Sequence, residues 1–149
     1  MTDRIEKSIV LRAPLARVWK AIADQGEFGE WFGVKFPAGV FGPGEKVSGK
    51  LAVPGYDHLT LDVEIVEVEP ERKLSYRWHP YAIDPNVDYS SEPQTLVTFT
   101  LEEIAEGTRL TVVESGFENI PLHRRDEAKR MDDRGWAAQL TNVERHVSR

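Results

Sequence analysis

The chain has 149 residues, of which 40% are hydrophobic, and a formal net charge of −6. This length and composition predict one domain over residues 1–149 with one compact core. The acidic balance argues against a nucleic-acid partner, because such a protein usually needs a basic surface to replace phosphate counterions. The sequence contains no cysteine, which excludes disulfides, thiolate metal sites and cysteine nucleophiles.

The distribution of apolar residues along the sequence indicates the location of the protein in the cell. The first six residues, MTDRIE, contain no apolar stretch like that of a secretory signal. No apolar run approaches the ~20 residues that a helix needs to span a bilayer. We therefore expect a cytoplasmic protein without a membrane span.

The first third of the chain predicts a strand, two helices and a loop. The strand covers residues 5–12 and ends before Pro14, which suits the first turn of a helix. An apolar stripe at i, i+3, i+4 and i+7 predicts that helix: Leu15, Val18, Trp19 and Ile22. A second short helix over residues 27–32 ends at Gly33, and the glycines and prolines of residues 37–49 indicate a loop.

Five further strands are predicted at residues 46–53, 58–69, 73–79, 95–102 and 108–115. In the second of these, Leu61, Val63 and Ile65 share one face, whereas Val66 falls on the other. We therefore predict a β-bulge near residues 65–66. The connection at residues 80–93 is longer than a usual hairpin loop, which is typical of functional or mobile segments.

A long helix is predicted over residues 121–147, roughly 40 Å at about 1.5 Å per residue. Its apolar stripe consists of Met131, Trp136, Leu140, Val143 and Val147. The charged residues on this helix, Arg124 and Asp132 among them, are interpreted as a solvated face with i,i+4 pairs. A break near residues 123–126 is an open alternative. An amphipathic sheet and an amphipathic helix must bury their apolar faces together, so we expect an α+β fold with the sheet curved around this helix.

Several motifs resemble the START-like (SRPBCC, helix-grip) superfamily. They are the opening APLARVWKAI at residues 13–22, Trp31-Phe32-Gly33, the TRLTVVESGF strand at residues 108–117, and Gly135-Trp136 in the last helix. Together they resemble the subfamily named after the activator of the heat-shock-protein-90 ATPase, over nearly the whole chain. The resemblance implies an antiparallel sheet wrapped around a long C-terminal helix, with two short helices after the first strand.

The resemblance also implies a cavity between the sheet and the last helix that holds lipids, sterols or polyketide-like aromatics. The residues expected to line it are Phe28, Trp31, Phe36, Leu61, Val63, Tyr76, Trp78, Val97, Phe99, Leu110, Glu114, Met131, Trp136 and Leu140. The competing interpretation for each ring is a place in an ordinary core, because aromatic side chains dominate core burial in any case.

Two further residues have competing interpretations. Regular alternation places Glu114 inward with Leu110 and Val112, where it would orient a ligand hydroxyl, but a buried carboxylate is costly. We favour the alternative, a strand end in water or paired with an arginine. Gly135 costs about 1 kcal/mol relative to alanine inside a helix. We attribute it to close helix–sheet packing, with room for a ligand as the alternative.

The sequence contains none of the familiar catalytic or metal motifs. The four histidines, at positions 58, 79, 123 and 146, lack the HExxH spacing of a zinc site. His58 and His79 could meet across neighbouring strands, but matched carboxylates are missing. There is also no Gly-x-Ser-x-Gly motif and no glycine-rich phosphate loop. We expect no metal and no cofactor.

We therefore predict a non-enzymatic binder of an apolar small molecule, as a monomer or homodimer. One alternative is a partner of a chaperone of the heat-shock-protein-90 class in the stress response. The chain resembles only the C-terminal domain of the eukaryotic co-chaperone, so we expect that function to transfer poorly. A third possibility is an enzyme resembling polyketide cyclases or dehydratases, with Glu114, Tyr76 and His79 as its acid–base groups.

Overall fold

The computed structural model describes residues 4–84 and 86–148; residues 1–3, part of the N-terminal segment MTDRIE that lacks a secretory signal pattern, lie outside this range. The strands are β1 (Arg4–Leu11), β2 (Val34–Lys35), β3 (Lys46–Leu51), β4 (Thr60–Glu69), β5 (Lys73–Trp78), β6 (Thr95–Ile104) and β7 (Gly107–Ser115). The helices are α1 (Leu15–Ala23), α2 (Gln25–Phe32) and α3 (Leu122–Val147), with a 3-10 turn at Phe117–Asn119.

The strands form one curved antiparallel sheet in the order β1-β7-β6-β5-β4-β3-β2. Helices α1 and α2 connect β1 at one edge to β2 at the other, and α3 packs against β1, α1 and α2. Amphipathic faces are buried against each other in this way, and the predicted α+β helix-grip fold is confirmed. None of the helices in the described part of the chain is long and apolar enough to cross a membrane.

Local features agree with the sequence patterns in most places. Ile65 pairs with Tyr76 while Glu67 pairs with Ser75, so one extra residue lies between them and the predicted β-bulge is confirmed. The two-residue strand β2 was not predicted, because it is too short to show an alternation. Helix α3 runs from Leu122 to Val147 as one element, so the alternative of a break at residues 123–126 is wrong.

An aromatic cluster fills much of the space between the sheet and the helices. Phe28 of α2 lies at its centre, with ring centroids 4.6 Å from Trp31, 6.3 Å from Tyr76 and 6.1 Å from Phe99. Phe99 also packs against Trp136 of α3 at 5.7 Å. Rings in such tilted and edge-to-face contacts stabilise a core beyond their buried area. The open space of the fold therefore lies to one side of this cluster.

Candidate functional site

An open cavity of about 890 Å³ lies between strands β3 and β4 and the segment of residues 79–94 that joins β5 to β6. Phe32 and Trp78 contribute aromatic wall, Leu61 and Val63 contribute aliphatic wall, and Asp132 of α3 also lines the space. This volume lies within the range of small-molecule sites, roughly 300–1,000 Å³.

A second cavity of about 170 Å³ adjoins the first, with Phe32, Trp78 and Asp132 common to both. Its remaining wall comes from α3, through Gly135, Trp136 and Gln139. A Cβ atom on Gly135 would meet no heavy atom within 4 Å. The expected close helix–sheet packing at this glycine is therefore wrong, and the residue leaves open space beside the cavity.

Glu114 is the polar centre behind these walls. It lies on the inward face of β7 and is 0% exposed. Its Oε1 accepts a hydrogen bond from Trp136 Nε1 at 2.8 Å, and its Oε2 accepts from Trp78 Nε1 at 2.8 Å and from Thr95 Oγ1 at 2.5 Å. The inward orientation is confirmed, and the favoured interpretation of a strand end in water or beside an arginine is wrong.

Those three donors explain how a carboxylate is tolerated at this depth. Burial of a charge is costly unless hydrogen bonds replace its hydration, and bonds to a charged acceptor are about twice as strong as neutral ones. Both oxygens of Glu114 act as acceptors, which is the bonding of an ionised carboxylate. The indole groups of Trp78 and Trp136 thus stabilise the buried carboxylate of Glu114 in addition to lining the cavities.

Asp132 forms a carboxyl pair with Glu114. Burial raises the pKa of Asp132 to about 10; the charge of Glu114 and a hydrogen bond with it act in the same direction, and Arg124 opposes them. Its Oδ2 is buried and finds no hydrogen-bond partner among the described residues. A buried oxygen without a partner costs more free energy when the carboxyl group is ionised than when it is neutral. Burial beside Glu114 therefore favours the neutral form of Asp132, whose hydroxyl can donate a hydrogen bond to Glu114. The interpretation of Asp132 as part of a solvated helix face is wrong.

The hydroxyl of Tyr76 lies close to this pair. It is buried and has no hydrogen-bond partner in the described part of the chain. Burial raises the pKa of Tyr76 well above its ordinary value; the charge of Glu114, together with that of Asp132 at the high pH where it is ionised, adds to the effect. The hydroxyl is therefore neutral near the carboxyl pair.

Arg124 holds the segment between β5 and β6 against α3. Its Nε donates to Oε1 of Glu92 and its Nη1 donates to the carbonyl oxygen of Pro80, each at 2.8 Å. The guanidinium carbon also lies 4.8 Å from the ring centroid of Tyr89. The interpretation of Arg124 as a solvated residue is wrong, because its side chain is only 12% exposed.

The structure divides the predicted lining residues by position. Leu61, Val63 and Trp78 line the larger cavity, Trp136 lines the smaller one, and Glu114 is bonded to both tryptophans. Phe36 and Met131 are half-buried. The others are buried: Phe28, Trp31, Tyr76, Val97, Phe99, Leu110 and Leu140. Whether each contacts a ligand stays a prediction.

Two important residues were missed from the predicted lining set, Asp132 and Phe32. Asp132 precedes Trp136 by four residues, which places both on one helix face, so the spacing could have separated it from the solvated charges. Phe32 was not among the residues expected to line the cavity, although it belongs to the Trp31-Phe32-Gly33 motif.

The histidines stand apart from any metal cluster. His79 Nε2 lies 3.1 Å from the carbonyl oxygen of Glu92, and His58 is exposed before β4. Over residues 4–84 and 86–148 no group of three or more histidine, cysteine, aspartate or glutamate side chains is arranged to hold a metal ion.

Known proteins resemble the chain at two levels. A family model described as "Activator of Hsp90 ATPase homolog 1-like protein" matches residues 12–148. Among solved structures, protein MLL2253 from Mesorhizobium loti is similar with a TM-score of 0.76 and 23% identity, over 97% of this chain and 96% of that one. Protein Ms6760 from Mycobacterium smegmatis gives 0.71 and 19%, over 96% and 89%. At these identities the likeness shows the fold.

A further solved structure is that of DynU16, a putative protein in the dynemicin biosynthetic locus. It is similar with a TM-score of 0.75 and 26% identity, over 99% of this chain and 48% of that one. The present chain thus spans about half the length of DynU16. No curated protein matches the chain.

Proposed function

Because this chain belongs to the family of Activator of Hsp90 ATPase homolog 1-like proteins, we propose that it binds a small, mainly apolar molecule in the larger cavity. The observation that carries the proposal is an open space of about 890 Å³ with Phe32, Trp78 and Asp132 in its wall. A binding site of this kind combines apolar walls with a small number of polar groups that orient the ligand.

The aromatic cluster sets the position of the proposed ligand. Phe28, Phe99 and Trp136 occupy the space between the sheet and α3 with their own rings. A ligand would therefore lie against Trp78, between β4 and the segment of residues 79–94, and not deep under α3. This placement differs from the cavity that the family resemblance implies.

Calorimetric titration with apolar ring compounds, supported by tryptophan emission, tests the proposal. Leu61 lines the cavity, so Leu61→Trp should fill part of it and weaken binding by roughly tenfold or more, about 1.4 kcal/mol. Val66→Trp is the matched control, because Val66 is 41% exposed in the same strand and does not line the cavity. The proposal fails if no apolar compound binds, or if Leu61→Trp leaves the affinity unchanged.

A second candidate function is acid–base catalysis of the cyclase or dehydratase type. The observation that favours it is the neutral acid of Asp132 in the cavity wall, backed by the ionised Glu114. Two carboxyl groups held in different protonation states are a usual source of acid–base pairs. His79 also lines the cavity. If a polyketide substrate were found, an Asp132→Asn variant with full turnover would remove this role.

The family description keeps a chaperone partner as a separate alternative. It is tested by mixing this protein with a chaperone of the heat-shock-protein-90 class and measuring ATP hydrolysis. Stimulation at saturating protein would support a co-chaperone role, and an unchanged rate would reject it.

A further inference from the structure

Resting on the proposed cavity function, the geometry points to Asp132 as the residue that selects the ligand. We infer that its carbonyl oxygen accepts a hydrogen bond from the hydroxyl of an aromatic alcohol, while the acidic surroundings exclude aromatic and aliphatic carboxylates.

The hydrogen bonds around the carboxyl pair limit what Asp132 can offer to a ligand. Trp78, Thr95 and Trp136 already donate to the two oxygens of Glu114. Asp132 lines the cavity beside this carboxylate, and its Oδ2 is buried without a hydrogen-bond partner among the described residues; a hydrogen bond with Glu114 and burial both favour its protonated form. A neutral acid whose hydroxyl is engaged in this way retains a carbonyl oxygen, which can only accept. A ligand that meets Asp132 must therefore bring a donor.

The wall of the larger cavity is rich in acidic side chains. The acidic residues that line the larger cavity are Asp62, Glu64, Asp88, Glu92 and Asp132. Lys46 is the one lysine in the same wall, and Arg124 is paired with Glu92. A ligand carboxylate near Asp132 would also approach the buried charge of Glu114, and like charges at short range in a poorly solvated site repel strongly. Fatty acids are thus disfavoured.

The aromatic side chains of the cavity walls favour a flat ligand. Phe32 and Trp78 have ring centroids 5.9 Å apart, and Trp78 and Trp136 have centroids 5.7 Å apart. These three rings share the cavity walls with Asp132. A flat aromatic body can pack against these rings while its edge presents a hydroxyl to the acid. An aryl alcohol satisfies all three conditions.

The test compares three probes of one ring system by calorimetry at pH 7: 2-naphthol, 2-methoxynaphthalene and 2-naphthoate. We expect wild type to bind 2-naphthol roughly three- to tenfold more tightly than the methoxy compound, as one hydrogen bond would give. We expect 2-naphthoate to bind more weakly than both. Asp132→Leu should abolish the preference for 2-naphthol.

Asp132→Asn is the informative companion variant. Its amide nitrogen can donate to Glu114 while its carbonyl oxygen still accepts, so the preference for 2-naphthol should remain. Asp133→Asn, at the exposed neighbouring position, controls for altered charge on α3. Asp132→Asn and Asp133→Asn both keep the side-chain volume. A loss of the preference for 2-naphthol in Asp132→Asn would therefore overturn the inference even if Asp132→Leu does not fold.

The outcomes separate the two proposals. If all three probes bind and Leu61→Trp blocks them, but wild type shows no preference for 2-naphthol over the methoxy compound, the role of Asp132 is overturned and the cavity function stands. Tight binding of 2-naphthoate, or a preference that survives in Asp132→Leu, would also overturn it. If no probe and no other apolar compound binds, the cavity function fails and this inference fails with it.

Discussion

Trp136 in α3 donates its indole N–H to Oε1 of Glu114 in β7 over 2.8 Å. This bond joins the helix to the sheet at a carboxylate that is 0% exposed. Trp78 of β5 donates to the other oxygen at the same distance. The tryptophans that stand in the cavity walls are therefore fixed by the same carboxylate whose charge adds to the effect of burial on the pKa of Asp132.

Glu114→Gln should destabilise the protein by about 1–3 kcal/mol, the usual cost of leaving buried groups unsatisfied. Glutamine has one acceptor oxygen, whereas Glu114 accepts from three donors on two oxygens. Urea unfolding measures the effect. Glu102→Gln is the control, since Glu102 is 65% exposed in its ion pair with Arg109 and should change stability by less than about 0.5 kcal/mol. Equal stability of the two variants would contradict the structural role of Glu114.

Asp132→Asn should stabilise the protein increasingly as the pH rises. The pKa of Asp132 is raised from 3.8 to about 10, so between these values the folded state holds a proton that the unfolded state has released. Wild-type stability therefore falls with rising pH across this window. The asparagine variant lacks this loss and should be more stable at pH 8 by more than about 1 kcal/mol.

Denaturant unfolding at pH 5, 6.5 and 8 measures that difference. Asp133→Asn is the control, because its side chain is 55% exposed and lies 3.3 Å from Lys7. A difference between wild type and Asp132→Asn that stays constant over this range would show that Asp132 is ionised in the folded protein.

Glu27→Gln should destabilise the junction of α3 with α1 and α2. Burial alone would raise the pKa of Glu27, but hydrogen bonds from His146 and Arg17, at 2.8 and 2.6 Å, lower it overall. This stabilisation is present above pH 4.5 and is lost as the pH falls further. We expect a loss of about 1 kcal/mol near pH 6.5 that shrinks below pH 4.5. Thermal melts at several pH values measure the effect. Glu30→Gln is the control, because the Glu30 side chain is 62% exposed. Equal melting temperatures of the two variants at every pH would contradict the stabilising role of Glu27.

Gly135→Ala should stabilise α3 by up to about 1 kcal/mol, the difference in helix propensity, because the added methyl meets no atom within 4 Å. Gly29→Ala is the matched contrast within α2. Its Cβ would lie 2.2 Å from the carbonyl oxygen of Val34, so we expect a loss of about 1–3 kcal/mol. Melting temperatures of the two variants check both signs, and destabilisation by Gly135→Ala would show that the space is not free.

The sequence was informative wherever the signal repeats locally. Alternation predicted the strands and the inward face of Leu110, Val112 and Glu114, and a change of face predicted the bulge at Ile65. The short strand β2 carries no such period. It pairs with β3 because α1 and α2 place the chain beside that strand. A local sequence pattern cannot indicate this position.

The site was harder to predict because its partners are distant in the chain. Trp78, Thr95 and Trp136 lie 36, 19 and 22 residues from Glu114. No sequence spacing indicates that two strands and a helix meet at one carboxylate. Water or an arginine was therefore the simpler prediction for the partner of Glu114. On α3 the charges are dense enough to hide which ones face inward, and Asp132 and Arg124 were therefore grouped with the solvated ones.

We expect the contacts of Arg124 to affect the rate at which a ligand exchanges more than the affinity with which the cavity binds it. Any exchange that lifts the segment of residues 79–94 away from α3 must break the bonds of Arg124 to Glu92 and Pro80. Both ion-pair side chains are at most 15% exposed, so bulk salt screens them only weakly while they are closed. An exchange by this route therefore requires the ion pair to open, whereas the structure holds it closed. Loosening the pair through Arg124, which does not line the cavity, would therefore shorten the residence time of a ligand.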